Sequence, residues 1–454
     1  MGRVKIAIIS PEVFSYGAML IGGILKKGGH QISLFNNLRP QNVMGMDIIG
    51  LSLTSVSHLL NARELVSKLK VGLKPLIIVG GPISQISELV FRILPEIDVV
   101  VIGEGEETAP ELIEALKTKR NLEEVNGISF KHDNEMVKTH PRKPASLDGR
   151  ALPEIPQNIG RQNIRGANVY IETHRGCLGN CSFCQVPCFF GREVRSRPVN
   201  DIVVEVKAFV EAGAQKIALF GGTSNQYGCK GSKLNDEAFI TMLKEVSRIT
   251  GPYNLSVPDL RVDMVNEAML KAVRKYTIGF VIYGMESGSN RILAKMRKGI
   301  TVDKIMEGVK RAREAKLEVA GAFIVGYPGE TDEDYAETKE LVEELMLDDY
   351  SISIADPLPG TLLAGEVVQL SREENPVFIK DSSKLGVLHK LTVAEARAFD
   401  LMLTASMVRS RPLPITNELY NTFLREVKKQ GEEIRLITII LKEFYKDTRH
   451  STLT

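Results

Sequence analysis

Three closely spaced cysteines are the side chains of this 454-residue chain whose type and spacing most directly indicate chemistry. Cys177, Cys181 and Cys184 follow the pattern C-x3-C-x2-C. At this spacing each thiolate can bind a different iron of one cubane cluster, and a fourth iron keeps an open position. Gly176 and Gly179 give the loop the flexibility that this requires. The stretch therefore predicts an iron–sulfur site.

Two other metal sites remain open for the same stretch. Cys188 follows Cys184 after three residues and would complete an ordinary four-cysteine cluster. A structural zinc site usually draws two separated pairs of ligands, and the sequence offers no second C-x2-C or H-x3-H pair. Cys188 and Cys229 are otherwise expected to be ordinary thiols. The spacing favours a three-cysteine cluster most.

The composition carries no signature of a nucleic-acid or membrane partner. A net charge of +2 makes no case for nucleic acid or an anionic membrane. No apolar run approaches the ~20 residues that span a bilayer, and the N-terminus runs into a strand, unlike a signal peptide. The cysteines do not form a disulfide framework. We expect a reducing, cytoplasmic location and two or three domains.

The elements that must position the cysteines begin with an α/β domain over residues 1–145. Short apolar runs alternate with helical segments, which is typical of a doubly wound, Rossmann-like parallel sheet. The predicted strands and first helix are Val4–Ile9, Gly17–Lys27 (the helix), Gln31–Phe35, Asp47–Ser52, Leu76–Val79 and Val99–Ile102. Such sheets bind ligands at the carboxyl ends of their strands. Those ends carry small or polar residues: Ser10, Ser52, Thr54, Gly80, Gly81, Pro82, Gly103, Glu104 and Gly105.

A second α/β domain, over residues 165–370, carries the cysteine loop. A short extended piece at Gly127–Phe130 and a proline-rich linker over residues 146–164 precede it. The predicted strands are Ala167–Thr173, Lys216–Phe220, Tyr253–Val257, Gly279–Tyr283, Val319–Val325 and Ser351–Ile354. Six strand–helix units predict a partial (β/α)6 barrel of the TIM type. The cysteines follow its first strand, at the end where such barrels hold their chemistry.

Residues 371–454 predict a helical C-terminal domain without a chemical motif. Apolar residues at helical spacing predict helices over Thr392–Ser410, Thr416–Gln430 and Glu432–Tyr445. His58, alone after the third strand of the first domain, is expected to be a capping or surface residue rather than a ligand.

The cysteine spacing, together with the turns after the later strands, resembles the radical S-adenosylmethionine (SAM) superfamily. Gly221-Gly222-Thr223 stands where that family has Gly-Gly-Glu, with Thr223 replacing the acid. Gly284-Met285-Glu286-Ser287-Gly288 and Gly326-Tyr327-Pro328-Gly329 resemble its G-x-E-S-G segment and its G-x-P-G turn. In the family, SAM chelates the open iron. The resemblance implies a SAM site formed by Phe183, Gly221, Gly222, Thr223, Arg261, Asp263, Glu286, Ser287, Gly326 and Pro328.

The glycine-rich strand ends of the first domain resemble the cobalamin-binding domain that precedes the barrel in many radical SAM proteins. Gly80-Gly81-Pro82 and Gly103-Glu104-Gly105-Glu106 carry this resemblance. The usual Asp-x-His-x-x-Gly signature is absent, so that motif's histidine would not hold a bound cobalt. The resemblance implies a cobalamin site at the nine strand-end residues, Ser10 to Gly105, given above. A Rossmann-like domain that no longer binds a ligand is the alternative.

Together these resemblances imply a cobalamin-dependent radical SAM C-methyltransferase. In that class a 4Fe-4S cluster, fed by a one-electron reductant, cleaves SAM to a 5′-deoxyadenosyl radical that takes hydrogen from an unactivated carbon. Methylcobalamin then donates the methyl group. The chain shows no Ser/His/Asp constellation, and this chemistry needs none. Tyr227 and Tyr283 could donate a hydrogen atom or lie beneath cobalt.

The substrate follows from the resemblance alone. The layout is similar to the archaeal enzymes of methanogens that methylate carbon atoms of methyl-coenzyme M reductase, and a glutamine of its alpha subunit is the first candidate. Methylation, oxidation or cyclisation of a small molecule is the alternative. A methylthiotransferase would need a second cluster, yet no cysteine precedes Cys177. A non-enzymatic cluster-binding module or sensor also stays open.

Overall fold

The structure, a computed structural model, describes residues 3–72, 75–133 and 135–451. The chain forms two compact units. The first contains Met1–Gly176, Phe189–Gly221 and Glu245–Leu255, and the second contains Cys177–Cys188, Gly222–Lys244 and Ser256–Thr454. The boundary between the units passes through the predicted barrel domain, so the domain limits proposed from the sequence stay predictions.

A seven-stranded sheet is the centre of the first unit. Its strands are Lys5–Ile9 (β1), Gln31–Phe35 (β2), Ile48–Ser52 (β3), Leu76–Gly80 (β4), Val99–Val101 (β5), Ile128–His132 (β6) and Glu135–Lys138 (β7). Their order is β2-β1-β3-β4-β5-β6-β7. The first five are parallel, as predicted, and buried apolar side chains fill β1, β3, β4 and β5 because helices cover both faces of such a sheet. The piece predicted at Gly127–Phe130 extends into the antiparallel hairpin β6–β7.

Four helices connect these strands: Tyr16–Lys27 (α1), Val56–Gly72 (α2), Ser87–Ile93 (α3) and Gly105–Thr118 (α4). The hydroxyl of Ser15 caps α1 by accepting a hydrogen bond from the Ala18 N–H at 3.4 Å. His58 lies in the first turn of α2, where its Nδ1 is 3.0 Å from the Thr54 hydroxyl. This local contact agrees with the capping role expected for His58.

The rest of the chain continues the alternation of strands and helices. Its strands are Val169–Glu172 (β8), His174–Arg175 (β9), Arg195–Ser196 (β10), Ile217–Phe220 (β11), Leu255–Ser256 (β12), Asp259–Leu260 (β13), Phe280–Glu286 (β14), Glu318–Val325 (β15) and Asp349–Ile354 (β16). Its helices are Val186–Phe190 (α5), Val199–Glu211 (α6), Asp236–Thr250 (α7), Glu267–Tyr276 (α8), Asn290–Lys295 (α9), Val302–Glu314 (α10), Asp332–Leu345 (α11), Leu362–Val367 (α12), Lys384–His389 (α13), Val393–Val408 (α14) and Asn417–Ser451 (α15).

The strands of this part form a three-stranded sheet, β12-β11-β8, a four-stranded parallel sheet, β13-β14-β15-β16, and a small antiparallel pair, β9 and β10. The strand predicted over Tyr253–Val257 was too long at its start. Residues Pro252–Asn254 form a 3-10 turn, and only β12 and the unpredicted β13 follow it. Pro252 and Pro258 account for the break, because proline cannot donate a ladder hydrogen bond.

The C-terminal region is helical, but the prediction of separate helices over Thr416–Gln430 and Glu432–Tyr445 was wrong. The single helix α15 spans both. Gly431, at the predicted break, instead gives room to a neighbouring side chain, since a Cβ there would overlap the Glu395 carboxylate of α14. Glu395 and Thr392 form a capping box at the start of α14, which fixes the carboxylate at this position.

Candidate functional site

The cysteine loop lies in the second unit. The Cys177 side chain is buried, and those of Cys181 and Cys184 are half-buried. A Cβ at Gly179 would lie 3.3 Å from Cys177 Sγ and 3.8 Å from Cys181 Sγ, so the missing side chain leaves room between two thiols. Burial raises the pKa of Cys181 and raises that of Cys184 to about 11. A bound metal would supply the positive charge that ionises such thiols.

The donor set fits an iron–sulfur cluster. Over residues 3–72, 75–133 and 135–451, no three His, Cys, Asp or Glu side chains converge on a single metal ion. Thiolates that bind separate irons of a cubane do not need to converge on one point. Cys188 is exposed on α5, and its Sγ donates to the Cys184 carbonyl at 3.6 Å. Cys188 therefore hydrogen bonds to the backbone just before its helix.

Hydrogen bonds from three later segments fix the loop. The Ser182 N–H donates to the Met296 carbonyl at 2.9 Å, and the Ser182 hydroxyl is 2.7 Å from that of Tyr327. The Leu178 N–H donates to Gln226 Oε1 at 3.0 Å. Phe183 packs beside the apolar cluster that includes Tyr327. The loop backbone is therefore positioned by side chains far from it in sequence.

Two buried ion pairs of the second unit bring positive charge close to the thiols. Arg261 binds Asp263 through two hydrogen bonds, of 2.9 and 3.1 Å. Lys298 Nζ lies 2.6 Å from Glu286 Oε1. Although burial opposes it, attraction to Glu286 and Cys181 raises the pKa of Lys298. Both cations are suited to bind a carboxylate, such as that of SAM.

Lys298 was not predicted from the sequence. Its partner Glu286 has φ 67°, an uncommon conformation for a residue other than glycine, at a shift in the register between β14 and β15. A Cβ at Gly284 would lie 2.5 Å from Glu286 Oε1 and 2.8 Å from Lys298 Nζ. The G-x-E-S-G segment thus leaves space for the ion pair of Glu286 and Lys298. The spacing of its residues does not predict which cation pairs with Glu286.

The other predicted SAM residues divide into those near the cysteines and those used elsewhere. The Thr223 hydroxyl lies 3.6 Å from Cys177 Sγ. Gly222 is in the same unit, whereas Gly221 is in the first unit, where a Cβ would overlap the His174 ring. The Ser287 hydroxyl lies 3.1 Å from that of Thr338 on α11, so it takes part in packing behind the strand end.

The turn after β15 contains the predicted Gly326 and Pro328. Gly326 has φ 66° and donates its N–H to Glu330 Oε2 at 2.7 Å. The Pro328 carbonyl accepts from Lys295 Nζ at 2.7 Å. Tyr227 and Tyr283, the two tyrosines singled out from the sequence, are both buried in the second unit. The Tyr283 hydroxyl finds no hydrogen-bond partner among the described residues, and burial raises its pKa.

A cavity of about 370 Å³ opens at the carboxyl ends of the strands in the first unit. Its volume falls in the range of small-molecule sites. Eight of the nine residues predicted at the strand ends line it: Ser52, Thr54, Gly80, Gly81, Pro82, Gly103, Glu104 and Gly105. Ser10 is absent from the lining, since its hydroxyl donates to the Val13 carbonyl at 2.8 Å and accepts from the Ser15 N–H at 3.1 Å.

The walls of this cavity fit a large ligand such as cobalamin. Strand side chains of β1, β3, β4 and β5 form an apolar surface, and the glycines let a ligand approach the backbone. At Gly80 an added Cβ would lie 3.9 Å from the Val101 Cβ, an ordinary contact distance, so a methyl group would fit there without displacing a neighbour. Phe189, Phe190 and Phe220 also line the cavity, and the sequence analysis did not identify them.

Buried ion pairs of the first unit form one rim of the cavity. Glu172 accepts from Arg175 at 2.9 Å and from Arg150 at 2.7 Å, and Arg175 also binds Glu104 at 2.8 Å. Burial alone raises the pKa of Glu172, but attraction and hydrogen bonds from the two arginines outweigh it and lower the pKa to about 2. The Tyr16 hydroxyl accepts from Arg150 at 2.7 Å. Of these residues only Glu104 was predicted from the sequence, and nothing in the sequence indicated its partner Arg175.

Comparisons with known proteins match two domain families to this chain. The B12 binding domain family matches residues 3–113, and the Radical SAM superfamily matches residues 171–342. A Methanocaldococcus jannaschii protein that carries the name "Putative methylthiotransferase" is 45% identical over 97% of this chain and 97% of its own length. An uncharacterized methyltransferase of Pyrococcus horikoshii is 31% identical over 70% of this chain and 68% of its own length.

Two solved structures have a similar fold. The radical SAM methyltransferase TsrM from Kitasatospora setae, with cobalamin and a [4Fe-4S] cluster bound, has a TM-score of 0.71 at 15% identity, over 96% of this chain and 99% of that one. The cobalamin-dependent radical SAM enzyme OxsB, with aqua-cobalamin and SAM bound, has a TM-score of 0.68 at 16% identity, over 99% and 80%.

The fold and both sites define an α/β enzyme with a B12-binding domain, a radical SAM domain and a helical C-terminal region. The chain belongs to the cobalamin-dependent radical SAM methyltransferase family. The fold class and the cofactors predicted from the sequence, a 4Fe-4S cluster, SAM and cobalamin, are confirmed at this level. Among the described residues, no helix combines the length and apolar character needed to cross a membrane.

Proposed function

We propose that this enzyme transfers a methyl group from cobalamin to an unactivated carbon of a polypeptide. The observation that carries the proposal is the cavity at the strand ends of the first unit, because eight residues predicted for cobalamin line it. Methylation, oxidation or cyclisation of a small molecule is the alternative, and it would use the same cofactors.

The site residues have distinct roles in this proposal. Cys177, Cys181 and Cys184 would hold a 4Fe-4S cluster, and Thr223, whose hydroxyl lies 3.6 Å from Cys177 Sγ, would bind the amino group of SAM. Lys298 offers a cation for the carboxylate of SAM. Phe183 and the turn at Gly326 receive the adenine. Bound together, cluster, SAM and cobalamin supply electron transfer, a carbon radical and a methyl group.

The protein's own contribution is positioning and the exclusion of other reactants. The half-buried aromatic side chains and the apolar walls of the strand-end cavity would keep water from a bound cobalamin. The ion pair of Lys298 with Glu286 is already formed and about nine-tenths buried, so charge near the thiols is oriented before ligand arrives. The overall reaction would require two electrons from an external donor and two SAM molecules. One SAM would be cleaved to 5′-deoxyadenosine and methionine, and the other would supply the methyl group and leave as S-adenosylhomocysteine.

Methylthio transfer is less well supported, although several relatives carry a methylthio function in their names. Inserting sulfur as well as a methyl group would need a second cluster in the resembling enzymes. This sequence has five cysteines, and none of them precedes Cys177. The strand-end cavity would also have no role in that reaction. We therefore favour transfer of the methyl group alone.

For the substrate we propose a glutamine side chain in the alpha subunit of methyl-coenzyme M reductase. Similarity in layout to the archaeal enzymes that methylate this reductase supports the choice. Relatives from Methanocaldococcus jannaschii and Pyrococcus horikoshii are consistent with an archaeal setting. A cytoplasmic location follows from the same proposal, since the reductase is the partner.

One anaerobic experiment tests the proposal. The purified, reconstituted enzyme is analysed for iron, sulfide and cobalamin. It is then incubated with a titanium(III) reductant, deuteromethyl SAM and a reductase peptide that contains the glutamine. Mass spectrometry is expected to find the labelled methyl group on the peptide, with 5′-deoxyadenosine and S-adenosylhomocysteine formed in equal amounts. An enzyme that retains no cobalamin, or that labels the peptide with sulfur, would overturn it.

A further inference from the structure

The turn Gly326–Gly329 is held by side chains from outside it. The Pro328 carbonyl accepts from Lys295 at 2.7 Å, and the Gly329 carbonyl accepts from Arg291 at 2.6 Å. Lys295 and Arg291 lie one helical turn apart on α9, so one face of that helix serves both carbonyls. The backbone of the turn is therefore held in place by side chains of α9.

The N–H of Gly326 has a different partner, the buried carboxylate of Glu330. Glu330 Oε2 accepts from Gly326 N at 2.7 Å and from Arg397 Nη1 at 2.9 Å. Arg397 also donates to the Glu330 carbonyl at 3.1 Å and, through Nη2, to Asp332 at 2.7 Å. Arg397 belongs to α14 of the C-terminal region. A single arginine thus ties the start of the turn and the start of α11 to the C-terminal helix.

The same face of α14 packs directly on the turn. A Cβ at Gly326 would lie 2.6 Å from the Cβ of Ala394, which is one turn before Arg397. Gly326 therefore permits the close approach of α14, and a larger residue at either position would push the two apart. Because φ at Gly326 is 66°, the backbone there also favours glycine.

The turn connects in the other direction to the cysteine loop. Tyr327 is fully buried, and its hydroxyl lies 2.7 Å from that of Ser182, which stands between Cys181 and Cys184. A displacement of the turn would therefore move Tyr327 away from the loop. From α14 to the cysteines, the path runs from Arg397 to Glu330, through the backbone of the turn at Gly326, and then from Tyr327 to Ser182.

We propose that Arg397 and Glu330 are positioning residues for SAM, through which the C-terminal helix α14 sets the position of the Gly326–Gly329 turn. The proposal gives the C-terminal region a role, and it rests on the proposed SAM site. A buried salt bridge is a weak source of stability but fixes geometry well, and here it fixes the turn against a helix from another region.

Ionisation of Glu330 gives this arrangement a dependence on pH. Burial raises the pKa of Glu330 to about 6, against the opposing attraction of Arg397. Arg397 faces it from α14, while Asp334 of α11 lies close by and is itself held by Arg291 of α9. Above that pH the carboxylate is charged and holds both Arg397 and the Gly326 N–H. As the pH falls through about 6, the Glu330 carboxylate gains a proton, and its ion pair with Arg397 weakens.

The test measures SAM affinity directly on the reconstituted holoenzyme, by equilibrium dialysis, in Arg397→Ala, Arg397→Lys and Glu330→Gln. We expect Arg397→Ala to raise the Kd for SAM about tenfold, equivalent to about 1.4 kcal/mol, with Arg397→Lys between it and the wild type. Iron and cobalamin contents stay at wild-type levels. The wild-type Kd rises as pH falls through about 6, whereas Glu330→Gln shows a flat profile because it cannot ionise.

Arg435→Ala is the matched control. It removes an ion pair of α15 with Glu395 of α14, at 2.7 Å, in which Arg435 also donates to the Val377 carbonyl at 3.2 Å and, among the described residues, makes no hydrogen bond to the turn. This variant is expected to lose stability and keep the wild-type Kd. Equal effects in Arg397→Ala and Arg435→Ala, or an unchanged Kd in Arg397→Ala, would overturn the proposal. A wild type without SAM binding would instead overturn the proposed function itself.

Discussion

The two candidate sites of this protein are built on opposite principles. The cavity of the first unit is defined by what is missing: Gly80 and Gly103 leave space at the ends of parallel strands. The cysteine loop of the second unit is defined by what is present, namely three thiols, two buried ion pairs and a hydroxyl pair that joins Ser182 to Tyr327.

The difference teaches how each site can fail. A cavity tolerates small changes in its walls and is lost when a side chain fills it. A set of metal ligands is lost when one ligand atom is removed, even if the surrounding space is unchanged. Variants that separate iron content from cobalamin content can therefore test whether the two sites are independent in this way.

Loss of a cluster ligand should have the largest effect. Cys181→Ala is expected to abolish iron and sulfide binding and all SAM cleavage, because the cluster loses one of its three thiolates. Cobalamin content should stay at the wild-type level, since the strand-end cavity lies in the other unit. Iron, sulfide and cobalamin assays on the anaerobically purified variant check this.

Cys188→Ala is the control for that variant. The Cys188 side chain is exposed, and its thiol hydrogen bonds to the Cys184 carbonyl just before α5, so its loss should leave the iron content unchanged. If Cys188→Ala lost iron as Cys181→Ala does, the cluster would have four cysteine ligands, and an open iron would no longer be available for SAM.

Filling the cavity should have the second largest effect, and it should lower the cobalamin content rather than the iron content. Gly80→Phe places a ring in the cavity that Gly80 lines and is expected to reduce cobalamin content to background while iron content is retained. Gly80→Ala is the matched control, because its methyl group has 3.9 Å to the nearest atom. Cobalamin retention by Gly80→Phe would show that the ligand does not enter the strand-end cavity.

Removing an ion pair at the cavity rim should lower the free energy of unfolding. Glu172→Gln leaves two buried arginines without full compensation, and we expect a loss of about 3–5 kcal/mol at pH 7. Because the folded pKa of Glu172 is lowered to about 2, its stabilisation is present above about 4.5 and is lost as pH falls through about 2. The wild-type urea midpoint should therefore drop between pH 6 and 3 more than that of the variant.

Glu64→Gln provides the comparison for that measurement. Glu64 pairs with Lys68 at 2.5 Å on the exposed face of α2. Water and salt screen such a pair, so the variant should match the wild type at neutral pH. A similar loss in both variants would mean that burial of Glu172 does not decide its effect.

The smallest effect is expected at a glycine that makes room for protein rather than ligand. In most helices Gly→Ala would stabilise by about 1 kcal/mol. At Gly431 the new methyl group would overlap Glu395, so we expect Gly431→Ala to destabilise by about 1–3 kcal/mol in thermal unfolding. If Gly431→Ala were more stable than the wild type, the missing side chain of Gly431 would not be making room for Glu395. Gly431 would then resemble the glycines that line the cavity.

Local pattern was enough to determine much of this protein. Apolar runs predicted the five parallel strands of the first unit, because buried parallel strands need continuous apolar sequence. Cysteine spacing identified the cluster loop, since ligands of one cluster must be close along the chain. The strand-end glycines identified eight cavity residues, because parallel strands end at one edge of a sheet.

Only the tertiary structure showed the partners that come from distant segments. Lys298 meets Glu286, Arg175 meets Glu104, and Arg397 meets Glu330, at separations that leave no periodic trace in the sequence. The continuity of α15 through Gly431 was also decided by packing, because a glycine reads as a helix end until a neighbour occupies its side-chain space. The apolar pattern of the sequence shows which face of a helix or strand is buried. Which charged side chain compensates a buried charged group depends on the tertiary fold.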